Sequence, residues 1–158
     1  MLDGCSVGNV FAFPAYSKIA DMIRACDRGA GVLCLYGNYG GDKMNFNQAI
    51  EDVDFDDIKC TSVLVTDDVA SAPNAEKNKR RGVAGMVFAY KVAGAAAKRM
   101  MNLEEVTAVA QKAVDNTRTM GVALTPCIVP EVGKATFSVN EDEIEIGMGI
   151  HGEKGIEV

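Results

Sequence analysis

The sequence has little of several features that would define a function at once. It contains one histidine, His151, so a cysteine and histidine metal site or a Ser-His-Asp triad would have to use that residue. No apolar run approaches the ~18 residues needed to span a bilayer, and the opening Met-Leu-Asp-Gly-Cys has no secretory signal pattern. Sixteen basic residues stand against 22 acidic ones, and this net charge of −6 disfavours binding to nucleic acid or anionic membranes.

Closely spaced cysteines are also missing. The five cysteines form no C-x-x-C pair, which disfavours a zinc site, and their odd number disfavours a secreted disulfide framework. We therefore predict free thiols, with Cys26 and Cys34 buried, and a cytoplasmic protein. With 158 residues, 48% of them hydrophobic and 24% charged, the composition is that of a globular chain.

The apolar spacing in the first half predicts an α/β fold. A single apolar face predicts a helix over residues 14–27, and a short apolar run predicts a buried strand over 31–36. A glycine-rich turn over 37–42, a helix over 44–53 and a second buried strand over 62–66 follow. Strand, helix and strand in this order favour a largely parallel sheet with flanking helices.

The second half predicts two more helices and then a change of character. Residues 71–81 are polar and aperiodic, as in a mobile loop. Helices are expected over 82–101 and 103–118, the latter with Asn102 as its N-cap. Short strands are expected over 137–139 and 143–148, the second with its acidic residues on a wet face. We predict an α/β domain over 1–118 and the start of a second sheet-containing segment, cut short, over 119–158.

Two glycine-rich places follow apolar strands and could hold a ligand. In open α/β sheets ligands bind beyond the carboxyl ends of the strands, so Asp42 could accept a proton or hold a substrate hydroxyl there. The alternative is that Asp42 only caps the next helix. Glycines flank His151, and an accessible neutral imidazole is a competent nucleophile, although a lone histidine can equally be structural or merely exposed. Neither common phosphate-loop fingerprint is present, so the sequence does not support a nucleotide site.

Two charged pairs are weaker candidates. Asp67 and Asp68 follow the second strand and could be a metal or ribose ligand pair, but a solvated strand end or a helix cap is the plainer interpretation. Arg80 and Arg81 could meet a phosphate or an acidic partner, with a solvated helix start as the default.

Six stretches together resemble the substrate-binding subunit of dihydroxyacetone kinase. They occur in that family's order and cover nearly the whole chain: N-Y-G-G-D-K-M-N-F (38–46), T-D-D-V-A (66–70), R-R-G-V-A-G (80–85), V-A-G-A-A-A (92–97), G-V-A-L-T-P-C-I-V-P (121–130) and G-M-G-I-H-G-E (147–153).

The resemblance implies a mechanism. His151 matches the family histidine that adds to the ketone carbon of dihydroxyacetone and holds it as a hemiaminal. Asp42 matches the aspartate that takes a proton from, or hydrogen-bonds, the hydroxyl that receives the phosphoryl group, and Gly41 lies beside it in the substrate site. The resemblance implies no cofactor on this chain: ATP, or ADP with magnesium, sits on a partner subunit or fused domain. It also implies a homodimer.

The chain departs from the family in ways that leave alternatives open. The family's upstream G-G-G-S-G-H-E-P loop is absent, and the chain ends seven residues after His151, so it matches the middle of a subunit and is expected to be inactive alone. Gly37 stands where many members have lysine, which leaves other small ketoses such as erythrulose open. A non-catalytic ketose-binding regulator and an inactive remnant are the alternative functions.

Overall fold

A computed structural model describes residues 1–128, 130, 132–135, 137–150, 153 and 155–156. Its helices are α1 (Tyr16–Cys26), α2 (Gly40–Asp54), α3 (Met86–Lys98) and α4 (Leu103–Asp115), with a 3-10 helix at Asn74–Lys79. Its strands are β1 (Val32–Gly37), β2 (Cys60–Val65), β3 (Val122–Ala123) and β4 (Glu145–Ile146). The predicted helices and the two buried strands are thus confirmed, with boundaries shifted by a few residues.

The strands β1 and β2 form a parallel pair, and α2 makes the crossover between them. Their register runs from Val32 opposite Cys60 to Gly37 opposite Val65. Because side chains alternate across a strand, each strand contributes to two cores. The sheet therefore has helices on both faces, as predicted for an α/β fold.

Each face of the sheet is covered by a different helix pair. The buried core against α1 and α2 contains Ile19, Ala20, Ile23, Cys34, Tyr36, Ala49 and Val53. The core against α3 and α4 contains Val63, Val65, Ala89, Ala93, Ala96, Val106, Ala110 and Val114. Alanine at four of these α3 and α4 positions lets the two helices pack closely, as the small-residue composition of this segment predicted.

The start of α4 is set by local chemistry, as predicted. The Asn102 side chain accepts a hydrogen bond from the backbone N–H of Glu105, and the Glu105 carboxylate accepts one from the backbone N–H of Asn102. This reciprocal pair satisfies two N–H groups that a helix start would leave without a partner. The helix ends at Asp115, three residues earlier than predicted, where Thr117 donates its hydroxyl to the carbonyl of Ala113.

The last third of the chain differs from its prediction. Residues 137–139 form no strand, and β4 covers only Glu145–Ile146, paired antiparallel with β3. Glu145 is buried, 7% exposed, rather than wet, and its carboxylate accepts a hydrogen bond from the backbone N–H of Gly155, which compensates for the burial. The expectation of a wet acidic face therefore holds at Glu143, which is exposed, and is wrong at Glu145. The proposed division at residue 118 stays a prediction.

Two further expectations from the sequence concern free thiols and membrane-spanning segments. All five cysteines are free thiols, as predicted. Cys34 is buried as expected, whereas the expectation of a buried Cys26 is wrong, because Cys26 is half-buried. Cys60 is half-buried, and Cys5 and Cys127 are exposed. Among the described residues, every helix is too short or too polar to cross a membrane.

Candidate functional site

Asp42 lies in the first turn of α2, at the carboxyl end of β1. Tyr39 is the N-cap, its side chain makes no capping hydrogen bond, and the helix begins at Gly40. The helix thus starts within the glycine-rich turn, four residues before the predicted position, and the interpretation of Asp42 as its N-cap is wrong. A half-buried carboxylate in a first turn is stabilised by the helix dipole, because the N-terminal end carries partial positive charge.

Glycines leave room for aromatic side chains on both sides of this turn. A Cβ atom at Gly41 would overlap the ring of Phe13, whereas one at Gly40 would meet nothing within 4 Å. At Gly37 a Cβ would lie 2.9 Å from Cε2 of Tyr39 and 3.2 Å from the carbonyl oxygen of Gly82. The close packing at Gly37 leaves no space for a longer side chain without movement of Tyr39.

An apolar cavity of about 1030 Å³ opens beside Asp42. Its lining includes Tyr36, Tyr39, Gly41, Asp42, Tyr90 and Ile150. Burial raises the pKa of Tyr36 and Tyr90, and the Asp42 carboxylate adds to the shift of both phenols. Ligand pockets for small molecules occupy about 300–1,000 Å³, so a ketose of a few carbons would fill only part of this cavity.

The two aspartates after β2 are structural groups, and the interpretation of a solvated strand end is wrong. Asp67 is fully buried at 0% exposure. Its carboxylate accepts hydrogen bonds from the backbone N–H groups of Val83 (2.9 Å) and Gly85 (2.9 Å) and from the hydroxyl of Thr119. Asp68 accepts one from the backbone N–H of Ala70 (3.1 Å) and pairs with Arg81. These bonds delay α3 to Met86, because residues 82–85 form the turn that Asp67 holds.

Arg80 and Arg81 are enclosed as well, which overturns the expectation of a solvated helix start. Arg80 is 5% exposed and donates its Nε–H to the carbonyl of Ala72 at 2.9 Å. Asn38, just after β1, donates its amide to the carbonyl of Arg80 at 2.8 Å and to that of Asn78 at 2.9 Å. The predicted mobile loop is thus anchored to the edge of the sheet and contains the 3-10 helix.

The loop that carries the histidine reaches the same edge of the sheet. His151 itself lies outside the described residues, so its distance from Asp42 stays a prediction. Ile150, the residue before it, lines the cavity with Asp42. Gly147 has a φ of +78°, a conformation that favours glycine, and its carbonyl accepts a hydrogen bond from Arg81 at 3.0 Å.

Tyr39 connects the Asp42 turn with the charges around Arg81. Its pKa is raised to about 12, mainly by burial; the Glu153 carboxylate contributes to this rise, Arg81 opposes it, and Asp68 and Asp67 contribute as well. The phenol therefore stays neutral near pH 7 and adds no charge to the cavity. Tyr39 and Phe13 carry no sequence signal that marks them as site residues, apart from the position of Tyr39 in the N-Y-G-G-D motif.

The candidate metal ligands among the described residues do not cluster. Where placement is described, no group of three or more histidine, cysteine, aspartate or glutamate side chains could hold a metal ion. The chemistry that the described part of the site offers is therefore a carboxylate beside an apolar cavity with aromatic walls.

Comparison with known proteins assigns the family. The Dak1 domain model matches residues 1–158. The chain is 47% identical over 155 residues to the dihydroxyacetone-binding subunit of a PTS-dependent dihydroxyacetone kinase of Listeria innocua, covering 98% of this chain and 47% of that protein. It is 44% identical to a D-erythrulose kinase of Mycolicibacterium smegmatis, with 98% and 27% covered. The chain belongs to the Dak1 domain family.

Solved structures agree with this assignment. The dihydroxyacetone kinase of C. freundii superposes with a TM-score of 0.83 at 37% identity, covering 92% of this chain and 26% of that one. A co-activator of a dihydroxyacetone kinase operon superposes with a TM-score of 0.81 at 31% identity, covering 91% and 44%. The α/β fold and the resemblance stated from the sequence are confirmed. The chain spans about half the length, or less, of the relatives it matches.

Proposed function

We propose that this chain is the ketose-binding part of a dihydroxyacetone-type kinase, and that His151 holds the ketose. One observation carries the proposal: Asp42 and Ile150, the sequence neighbour of His151, both line the cavity that runs along β1. The similarity to a dihydroxyacetone-binding subunit of Listeria innocua, at 47% identity, supports the same proposal.

The proposed covalent step is an addition to the ketone. A ring nitrogen of neutral His151 donates its lone pair to the carbonyl carbon, and a C–N bond forms. The C=O π pair moves to oxygen, which takes up a proton, while the other ring nitrogen releases one, so the product is a neutral hemiaminal. Glycerol has no carbonyl group and cannot form it, so the step selects ketoses over polyols.

In this proposal Asp42 acts on the hydroxyl that receives the phosphoryl group. A carboxylate in the first turn of α2, half-buried beside an apolar cavity, can accept the hydroxyl proton as the new O–P bond forms. A substrate tethered at its carbonyl carbon presents its terminal hydroxyl from a fixed position, which lowers the entropic cost of the transfer.

The phosphoryl donor belongs to another polypeptide or domain in this proposal. ATP, or ADP with magnesium, would be held by a partner subunit or a fused domain, and the ketose-binding part would form a homodimer. The isolated chain is therefore expected to bind a ketose weakly and to transfer no phosphoryl group by itself.

Intact-mass spectrometry under non-denaturing conditions tests the proposal. We expect the chain mixed with dihydroxyacetone to gain the mass of one ketose, and the chain mixed with glycerol to gain none. The His151→Ala variant should lose the adduct, whereas Asp42→Asn should retain it, because the carboxylate acts only in the later transfer. Absence of an adduct on the unsubstituted chain, or an equal adduct on His151→Ala, would refute the assignment.

A second candidate function is regulation without catalysis, and the similarity to an operon co-activator favours it. Both functions use the hemiaminal, so adduct formation does not separate them. An assay of the chain with the nucleotide-binding subunit of a dihydroxyacetone kinase, ATP and magnesium is the further test. We expect no phosphorylated ketose, because the chain spans about half of its relatives; a yield that Asp42→Asn abolishes would contradict this expectation and favour the kinase over the regulator.

A further inference from the structure

Arg81 joins the end of β2 to both sides of the loop that contains His151. Its Nε–H donates to Oδ2 of Asp68 at 3.0 Å, and its Nη2 donates to the carbonyl oxygen of Gly147 at 3.0 Å. Its Nη1 lies 3.5 Å from Oε2 of Glu153. One guanidinium therefore contacts the chain four residues before His151 and two residues after it.

The base of this arrangement is rigid. The Arg81 side chain is 14% exposed and that of Asp68 only 3%. The backbone around Arg81 is fixed as well, because its carbonyl accepts from the N–H of Asp68 at 3.0 Å and its own N–H donates to Oγ of Ser71 at 2.9 Å. The donors of a planar guanidinium point in fixed directions, so a guanidinium held in place also fixes the positions of its partners. A flexible lysine ammonium would do this less well.

The loop itself is shaped to receive the guanidinium. The backbone N–H of Gly149 donates to the carbonyl of Glu153 at 2.9 Å, which closes the loop on itself. A Cβ atom at Gly149 would overlap both Nη1 of Arg81 and the carboxylate of Glu153. Only glycine at this position allows the charged groups to approach the backbone so closely.

We propose that Arg81 is a positioning residue for His151, because it binds Gly147 and Glu153, which flank His151 in the sequence, and ties both to Asp68 at the end of β2. The proposal rests on the proposed function, because it assigns to Arg81 the placement of the nucleophile that adds to the ketose. Arg81 does not touch the substrate in this account, so it affects how fast the adduct forms rather than which carbonyl compound is accepted.

The lone histidine makes the test direct, because its imidazole gives one set of ring signals in the NMR spectrum. Arg81→Lys keeps the charge but loses the fork. Arg24→Lys is the matched control, since Arg24 also bridges two carboxylates, Asp52 and Asp56, on a remote surface. Gly149→Ala is a second variant that displaces the guanidinium while leaving Arg81 and Asp68 intact. Ring signals without ketose, the rate of adduct formation and the urea unfolding midpoint are measured for each.

We expect Arg81→Lys and Gly149→Ala to shift the ring signals of His151 and to slow adduct formation by about tenfold or more, since small misplacements of reacting groups have effects of this size. Arg24→Lys should change neither, and it should lose less stability, because Arg24 and its two carboxylates are more exposed than Arg81 and Asp68. Unshifted ring signals in both test variants, or an adduct rate equal to that of Arg24→Lys, would overturn the proposal. If the unsubstituted chain forms no adduct, the proposed function fails, and the ring signals alone decide the role of Arg81.

Discussion

Two carboxylates that follow β2, those of Asp67 and Asp68, fix the backbone at the carboxyl end of the sheet. Asp67 binds the turn before α3 and the segment around Thr119, and Asp68 binds Arg81. A buried carboxylate is tolerated only when hydrogen-bond donors surround it. Asp67 therefore needs its three donors, and those donors need Asp67 as their acceptor. The two aspartates of the T-D-D motif therefore have a structural role at the candidate site. From the sequence alone, a pair of metal or ribose ligands was also possible.

Removing the Asp67 carboxylate should be costly. Asp67→Ala leaves the backbone N–H groups of Val83 and Gly85 without their acceptor, and we expect a loss of about 3 kcal/mol in the free energy of unfolding. Urea denaturation measures this loss. Asp54→Ala, at the exposed end of α2, is the control and should change stability by no more than about 0.5 kcal/mol. Equal stability of both variants would contradict the role given to Asp67.

The raised pKa of Tyr39 predicts a pH dependence. An unfolded tyrosine loses its proton near pH 10, whereas burial raises the pKa of Tyr39 to about 12 in the folded chain. Between these values the folded state binds more protons, so the free energy of unfolding should fall as pH rises from about 10 to about 12.

Urea unfolding at several alkaline pH values measures this slope. Tyr39→Phe should make the slope shallower without abolishing it, because Tyr36 and Tyr90 also have raised pKa values. An unchanged slope in Tyr39→Phe would show that this phenol is not held in its neutral form by the fold.

At the scale of elements, some helix starts are determined by neighbouring residues and others by residues that are distant in the sequence. The start of α4 is determined by the hydrogen bonds between Asn102 and Glu105, which are three residues apart, so it could be predicted from the sequence. The start of α2 within two glycines could not, because Gly40 and Gly41 are poor helix formers and their use depends on the packing of Phe13 against Gly41. Likewise α3 begins late because of Asp67, which is distant in sequence.

The capping pair gives a prediction for α4. Asn102→Ala removes the acceptor for the Glu105 N–H, and we expect a loss of about 1 kcal/mol in the free energy of unfolding. Asn102→Asp keeps an oxygen in place and should retain most of the stability. Thermal or urea unfolding of the two variants checks this, and an alanine variant as stable as the aspartate variant would contradict it.

At the scale of the whole molecule, the parallel sheet with two-sided helices was predictable, and the assembly of the site was not. Runs such as 31–36 and 62–66 are apolar on both faces of a strand, so their burial follows from composition. Contacts such as Arg81 with Gly147, 66 positions apart, leave no periodic signal in one sequence. The family resemblance identified Asp42 and the 147–153 loop as candidate site segments. The residues that hold these segments in place could be identified only from the structure.

One measurement tests the central claim most directly: the carbon-13 NMR spectrum of carbonyl-labelled dihydroxyacetone in the presence of the chain. Formation of the hemiaminal turns a trigonal carbon into a tetrahedral one, so we predict that part of the label leaves the ketone region and appears as a broadened resonance in the region of saturated carbons bonded to oxygen and nitrogen. His151→Ala should leave the label in its free position. A label that stays there with the unsubstituted chain as well would contradict the account.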